Sequence, residues 1–293
     1  MMNGQSGNFK LLRVSVCIPA YNEEKSISYV IKSIANSKLN EYVILENIIV
    51  VSDSTDKTNE IVEGFIKFDP RVKLISNNKR LGLSKAISIA IKNTKSDILV
   101  IIDADVFLKP HSINALIVPF YNNIDVYATT GRKIPISNNP IVHAFWEVHH
   151  ELCLIHPKLC SSIIAIRRGL VDEIPPFFVP DTFLMSLLEA RGLKIVYIPN
   201  AVGRTLEPND LKGFIAQRKR IYIQHLFLKK VLKYNPPAFR FSLYAMALTK
   251  AIQKNGKVIN YLACALVEFF ARLEGLLTFK REYKRSYIWE KVR

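Results

Sequence analysis

The sequence predicts an α/β fold, a mainly parallel sheet with helices on both faces, with amphipathic helices added at the C-terminal end. Three observations predict it. Strand-like apolar runs alternate with helix-period segments from Val14 to Ile102, the signature of βαβ units. The strands read as unbroken apolar runs, as parallel strands buried on both faces do. Polar clusters close them, in "AYNEE", "SDSTD" and "DAD", and open parallel sheets bind ligands beyond the carboxyl ends of their strands.

Taken in order, "RVSVCIPAYNEE" begins as a strand through Val14, Val16 and Ile18 and breaks at Pro19. Asn22 is placed to cap the following helix, with Glu23 and Glu24 in its first turn. Ile27, Val30, Ile31 and Ile34 then recur at helical spacing. "ENIIVVSDSTDKT" repeats the scheme, with a strand through Val51, a polar turn and a helix carrying Ile61, Val62, Phe65 and Ile66. "VKLIS" is a third strand, "RLGLSKAISIAIKNT" a third helix and "ILVII" a fourth strand. Beyond Phe107 the pattern loosens. "VYATTG", "SSIIAIRR" and "LKIVYIP" read as strands, and "DTFLMSLLEARG" as a helix with Asp181 at its start and Gly192 past its end. A long helix starts near Asn209 or Asp210 in "PNDLKGFIAQRKRIYIQHLFLKKVL". The chain changes character near Asn235.

The fourth strand ends in Asp103 and Asp105, one residue apart. Where the chain turns at a strand end, two such carboxylates can converge. Close carboxylates repel, and a hard divalent cation, Mg2+ or Mn2+, answers both them and a substrate phosphate. The competing reading is an Asp-rich turn in which Asp103 caps the next segment. The doublet alone does not choose.

Its neighbours add more. "VSVCIPAYNEEKSI", "IIVVSDSTDKT", "NNKRLGLSKAISIAI", "DILVIIDADV", "SSIIAIRRG", "PDTFLMSLLEARGLKIVYIPNAV" and "QRKRI" together resemble the inverting nucleotide-sugar glycosyltransferases of family two, which have the Rossmann-like GT-A fold. The likeness runs from about Leu12 to His225 and looks closest to the cellulose, chitin and hyaluronan synthase branch. The resemblance implies roles by position. Pro19, Ala20, Tyr21 and Glu23 would line the nucleotide pocket. Asp53 would bind base or ribose, and Arg80 and Lys85 would flank the nucleotide. Asp103 would meet ribose or metal, and Asp105 would hold the metal on the diphosphate. Asp181 would be the catalytic base. Gln217, Arg218 and Arg220 would hold the donor diphosphate and the acceptor end. The chain departs from the family pattern in having Pro180 before the base, Ile221 in place of the tryptophan that ends the glutamine–arginine block, and Ser52 in place of an aspartate. The donor implied is a nucleoside-diphosphate sugar, with UDP the expected carrier, and the acceptor lipid-linked or a saccharide. A GT-A domain over residues 1–234 would comprise a donor half near 12–107 and an acceptor half near 108–234.

The 293 residues carry a formal net charge of +16. From Arg220 to Arg293 there are 15 Lys/Arg against 4 Asp/Glu, and 26 against 21 before them. The basicity belongs to the C-terminal part, which points to an anionic partner such as a membrane surface or nucleic acid, or to a solubilising excess. Within residues 235–293, "VINYLACALVEFFARLEGLLTF" bears one narrow stripe of Asn260, Cys264, Glu268 and Arg272, and "KREYKRSYIWEKVR" mixes Tyr283, Tyr287 and Trp289 with cations. Interfacial helices at the inner face of the cell membrane fit this pattern; helices packed on the catalytic domain or in a dimer are the alternative. No uncharged stretch reaches the roughly 18 residues of a spanning helix, and the first residues lack a signal-peptide core. Cys17, Cys153, Cys160 and Cys264 form no CxxC pair, which suits a reduced, cytoplasmic setting. His149, Cys153, His156 and Cys160 are spaced for one helix face, but Pro157 breaks such a helix, so they are not taken as a metal site. Two rival functions remain: a nucleotidyltransferase using the same aspartates, and a non-catalytic nucleic-acid binder, for which no motif is visible.

Overall fold

A computed structural model describes residues 11–160 and 162–283. Tyr287, Trp289 and the first ten residues lie outside the described residues.

Eight strands form one sheet among the described residues: β1 (Leu12–Ala20), β2 (Val43–Ser52), β3 (Val72–Ser76), β4 (Ile98–Ile102), β5 (Val106–Leu108), β6 (Val126–Ile136), β7 (Ile163–Arg167) and β8 (Lys194–Leu206). Their order is β3-β2-β1-β4-β7-β6-β8-β5. The pairs β1–β2, β1–β4, β2–β3 and β6–β8 are parallel. Strand β7 runs antiparallel to both β4 and β6, and β5 antiparallel to β8. The expected mainly parallel sheet is therefore present, with two reversed strands. β4 is buried along its whole length, as its uninterrupted apolar sequence requires.

Helices cover both faces. Helix α1 (Ile27–Ala35), α2 (Thr58–Ile66) and α4 (Ser112–Asn122) pack on one side, where Ile27, Val62 and Leu116 join Val16, Val100 and Ile102. On the other side α3 (Leu83–Lys92) and α6 (Pro180–Ala190) bring Ile87 and Leu184 against Val51, Leu99 and Ile101. Period-2 alternation in the strands sends neighbouring side chains to these two cores.

Helix α5 (Pro140–Ile155), α7 (Leu211–Leu232), α8 (Phe241–Asn255) and α9 (Val258–Glu282) build a third core. Val142, Phe145 and Trp146 of α5 meet Phe214 of α7, Ala247 and Ala251 of α8, and Tyr261, Cys264 and Val267 of α9. Gly275 allows the close approach of α9 to α7: a Cβ there would stand 2.9 Å from the Tyr222 ring. The C-terminal helices α8 and α9 thus pack on α5 and α7.

One local reading is corrected. Asn22 does not cap α1. It sits in the left-handed region at φ 55°, and its side-chain oxygen accepts a hydrogen bond from the Thr55 backbone N–H at 2.9 Å. The helix starts later, with Ser26 at its N-cap. The helix break expected at Pro157 is present: α5 ends at Ile155, and only His149 and Cys153 of the His/Cys series lie within it. Helix α4, which the sequence left unassigned, holds Pro119 in its interior and has no side-chain cap.

Candidate active site

Parallel β1, β2 and β4 end together, so their carboxyl-end loops meet in one crevice. It encloses about 690 Å³ of space open to solvent and is lined by Pro19, Ala20, Tyr21, Glu23, Asp53, Arg80, Asp103 and Asp105, among others. Eight of the expected site residues are brought together there. Gly82, Leu83, Ala86 and Ala104 complete the wall. Gly82 has φ +83°, which favours glycine, and it opens α3 directly beneath the crevice.

Asp53 does structural work in this wall. Its carboxylate accepts hydrogen bonds from Asn77 Nδ2 at 2.9 Å and from the backbone N–H groups of Leu81 at 2.7 Å and Gly82 at 3.2 Å. It thereby holds the 77–82 loop, and with it Arg80, in place. The Arg80 guanidinium lies 3.9 Å from the Tyr21 ring centroid, a cation–π pair, and its buried Nη2 has no hydrogen-bond partner among the described residues. The pair forms a flat platform at the mouth of the crevice.

The two aspartates are held in their acid form to unusually high pH. Burial is the main cause of the rise of Asp103 to about 6, with the charges of Asp181 and Glu23 adding, while Lys133 and a hydrogen bond from Ser162 oppose it. Asp105 rises to about 7, through burial first and then the Asp103 charge, again opposed by Lys133. Two half-buried carboxylates thus crowd one point, and their oxygens are the donor type that Mg2+ or Mn2+ takes. A divalent cation would relieve that repulsion, so the donor set fits such an ion.

Lys133 on β6 gave no signal in the sequence, because a single lysine in "GRKIPI" has no motif around it. It is buried, pairs with Glu207 at 2.7 Å, and its Nζ lies 4.4 Å from the Trp146 ring centroid. Burial alone would lower its pKa, but Glu207 and Asp105 outweigh burial and keep it charged. Gln217 donates to the other Glu207 oxygen at 3.2 Å, so this network ties α7 to the aspartate pair.

Asp181 lies in the first turn of α6 and lines a second, adjacent cavity of about 880 Å³, also open to solvent. Its charge nevertheless reaches Asp103. Arg218 lines this second cavity as well. Arg220 is held down to about 10 by burial and by Arg218, and lines neither cavity. Lys85 points away from the crevice, into an ion pair with Glu173 at 2.9 Å. The expected site residues therefore divide between a strand-end crevice and a helix-walled cavity, with Gln217 on Glu207, Arg220 lining neither and Lys85 at the surface of α3.

Residues 15–174 match the family described as Glycosyl transferase family 2. An N-acetylglucosaminyltransferase of Sinorhizobium fredii is 26% identical over 235 residues, covering 71% of this chain and 56% of that protein. A dolichol-phosphate mannosyltransferase of Pyrococcus furiosus is 33% identical over 233 residues, covering 74% and 63%. The chain thus spans less than two thirds of the length of these curated relatives. Among solved structures, a mannosyltransferase from Pyrobaculum calidifontis in complex with GDP-Man and Mn2+ superposes with a TM-score of 0.62 at 21% identity, covering 94% of this chain and 82% of that one. Glucosyl-3-phosphoglycerate synthase from Mycobacterium tuberculosis in complex with Mn2+, UDP and glucosyl-3-phosphoglycerate gives 0.54 at 20% identity, covering 74% and 79%. These likenesses give the fold as GT-A. The strand-end crevice, its aspartate pair and the matched segment agree: the chain belongs to glycosyl transferase family 2.

Proposed function

We propose that this glycosyltransferase inverts the anomeric centre as it moves a sugar from a nucleoside-diphosphate donor, a UDP-sugar by expectation, to a lipid-linked or saccharide acceptor. The single observation that carries the reading is the meeting of Asp103 and Asp105 in the crevice with Asp181 close enough to raise the Asp103 pKa. In this reading the donor nucleotide occupies the crevice, its base or ribose against Tyr21, Arg80 and the Asp53-braced loop. Asp103 and Asp105 would hold Mg2+ or Mn2+, which supplies charge neutralisation at the departing diphosphate. Asp181 takes the proton of the attacking hydroxyl as general base. Lys133 fixes the aspartate pair electrostatically. Holding both substrates in one orientation supplies much of the remaining acceleration.

The donor half is residues 12–107, the acceptor half residues 108–234 and the C-terminal extension residues 235–293, of which α8 and α9 pack on α5 and α7. The branch is that of the cellulose, chitin and hyaluronan synthases, supported by Gln217 and Arg220 at the spacing of that branch's glutamine–arginine block. Attachment to the inner face of the cell membrane is supported by α9. Its polar stripe turns inward, where Arg218 meets Glu268 at 2.5 Å. An unbroken row of Ile259, Leu262, Leu266, Phe269, Leu273 and Leu276 is left exposed. Lys257 and Arg281 stand at its two ends. An exposed apolar row between cations suits an anionic lipid surface. No helix among the described residues is long and apolar enough to cross a membrane.

A panel of nucleotide sugars with Mn2+ or Mg2+, read as release of nucleoside diphosphate, tests the proposal. Metal-dependent release with one donor supports it; release of pyrophosphate instead supports the nucleotidyltransferase alternative and contradicts it.

A further inference from the structure

The cavity beside Asp181 has a composition the donor reading does not use. Its walls are apolar and aromatic, from Phe145, Leu152, Met185 and Ile221 among others. Set into them are three cations, Lys158, Arg218 and Arg272, against two carboxylates, Asp181 and Glu268. Glu268 is shared by Arg218, at 2.5 Å, and Arg272, at 3.3 Å. Burial pushes its carboxyl up, yet the two guanidinium groups outweigh burial and hold it ionised. The Lys158 ammonium is half-buried and makes no ion pair among the described residues. Three cations against two carboxylates leave the cavity with surplus positive charge.

Two imidazoles in the same walls register that field. His225 falls to about 3 and His149 well below its ordinary value; burial is the main cause in each, and Lys158 and Arg218 add to it. The indole Nε1 of Trp146, a lining residue, is buried with no hydrogen-bond partner among the described residues. Surplus cationic charge in a partly desolvated, greasy cavity is costly unless an anion enters it. A neutral saccharide can stack its C–H faces on the aromatic walls but leaves the cationic surplus unanswered.

We infer that this cavity is the acceptor site and that it takes an amphiphile in which a phosphoryl group joins a hydroxyl-bearing head to a hydrocarbon chain. The inference rests on the glycosyltransferase reading above and narrows its acceptor. The phosphoryl group lies among Lys158, Arg218 and Arg272, the chain lies along the apolar wall, and the head reaches Asp181. In the transfer step the acceptor oxygen forms a bond to the anomeric carbon. The bond from that carbon to the donor diphosphate breaks, its electron pair leaving with the nucleoside diphosphate, and the hydroxyl proton passes to the Asp181 carboxylate. Helices α8 and α9 supply Tyr244, Glu268 and Arg272 to the walls, so the C-terminal helices complete the acceptor site.

The test uses the full chain with Trp289→Phe, which leaves Trp146 as the single indole, since the sequence holds two tryptophans. Emission is followed while geranylgeranyl phosphate, geranylgeraniol or inorganic phosphate is added. A saturable change is expected with geranylgeranyl phosphate. The alcohol should bind about tenfold more weakly or worse, the scale of one charge-assisted contact, and inorganic phosphate should give no change at matched concentration. Lys158→Gln should weaken binding of the phosphate by about the same factor, and Lys158→Arg should restore it. Equal binding of alcohol and phosphate, no saturable change with either, or an unchanged Lys158→Gln titration overturns the inference. Thermal shifts with UDP or GDP plus Mn2+ on the same samples separate the two levels. Nucleotide binding without amphiphile binding sinks only this acceptor assignment, whereas loss of metal-dependent nucleotide binding sinks the donor reading itself.

Discussion

The strand-end crevice and the helix-walled cavity lie side by side but are assembled by different means. In the crevice, backbone topology does the placing. Parallel β1, β2 and β4 must end on one edge of the sheet, so the short loops after Ala20, Ser52 and Ile102 have nowhere else to put their polar residues. In the cavity, side chains do the placing. Trp146, Arg218, Tyr244 and Arg272 come from separate helices and meet because α5, α7, α8 and α9 share a core, while Asp181 is brought to them by α6 from the sheet core. Function in the crevice is therefore separable from folding, whereas function in the cavity is entangled with it. Substitutions should divide along that line.

The largest effects fall where the two sites touch. Asp181→Asn should lower transfer by about 10²–10⁴-fold, the range of a lost general base. Asp105→Asn should cost about 10²–10³-fold, as for loss of one element of electrostatic stabilisation. It should also stabilise the metal-free protein, because it removes a repelled, buried charge. A fall in stability with Asp105→Asn would break the comparison.

Lys133 joins the two regions, and Lys133→Ala should behave as a folding variant. It leaves Glu207 buried and uncompensated, which costs about 3–5 kcal/mol. Denaturant unfolding measures this directly, and a loss below about 1 kcal/mol would mean that Glu207 finds water or another partner.

A smaller effect is pH-dependent. The folded-state pKa values of Asp103 and Asp105 rise to about 6 and about 7, above the ordinary carboxylate value near 4. Protonation therefore favours the folded chain. The stability these two groups contribute is fully present below about pH 4 and is lost as pH rises through about 6 to 7. Without metal, their contribution should fall across that window, and Asp105→Asn should flatten it. Added Mn2+ should raise the melting temperature more at pH 8 than at pH 5.5, since protons compete with the metal.

The smallest effect on stability belongs to the outer row of α9. Leu266→Ser and Phe269→Ser, both at exposed positions, should change folding stability by about 0.5 kcal/mol or less each. Together they should weaken binding to vesicles of anionic lipid by about tenfold or more, given about 1.5–3 kcal/mol per large apolar side chain buried. Unchanged vesicle binding would leave α9 as a packing element only.

The same contrast accounts for what could be read in the sequence. The crevice was legible because its parts are local: a strand, then a polar turn, repeated, with Asp103 and Asp105 in a single tripeptide. The cavity was not. Lys133 and Lys158 belong to no motif, and Tyr244 and Arg272 lie in helices whose partners cannot be named before α5 and α7 are in place. Arg218 looked like a donor ligand beside Gln217, yet helical geometry turns it toward Glu268 and the second cavity. Helix α9 shows why a hydrophobic pattern can leave orientation open. It has two apolar stripes, and the inward one carries the buried Glu268 along with Tyr261, Cys264 and Ala271, so the polar stripe alone does not say which side faces water. Asn22 misled because asparagine serves equally as a helix cap and as a left-handed turn residue; here it took the second role.

On the proposed function, the crevice at the ends of β1, β2 and β4 binds a nucleoside diphosphate through a divalent cation on the aspartate pair. Crystals grown with Mn2+ and UDP or GDP, measured for manganese anomalous scattering, test it most directly. An anomalous peak is expected within bonding distance of Asp105 and of the diphosphate, with the nucleoside against Tyr21 and Arg80. Manganese bound away from Asp103 and Asp105, or a nucleotide seated elsewhere on the molecule, would contradict it.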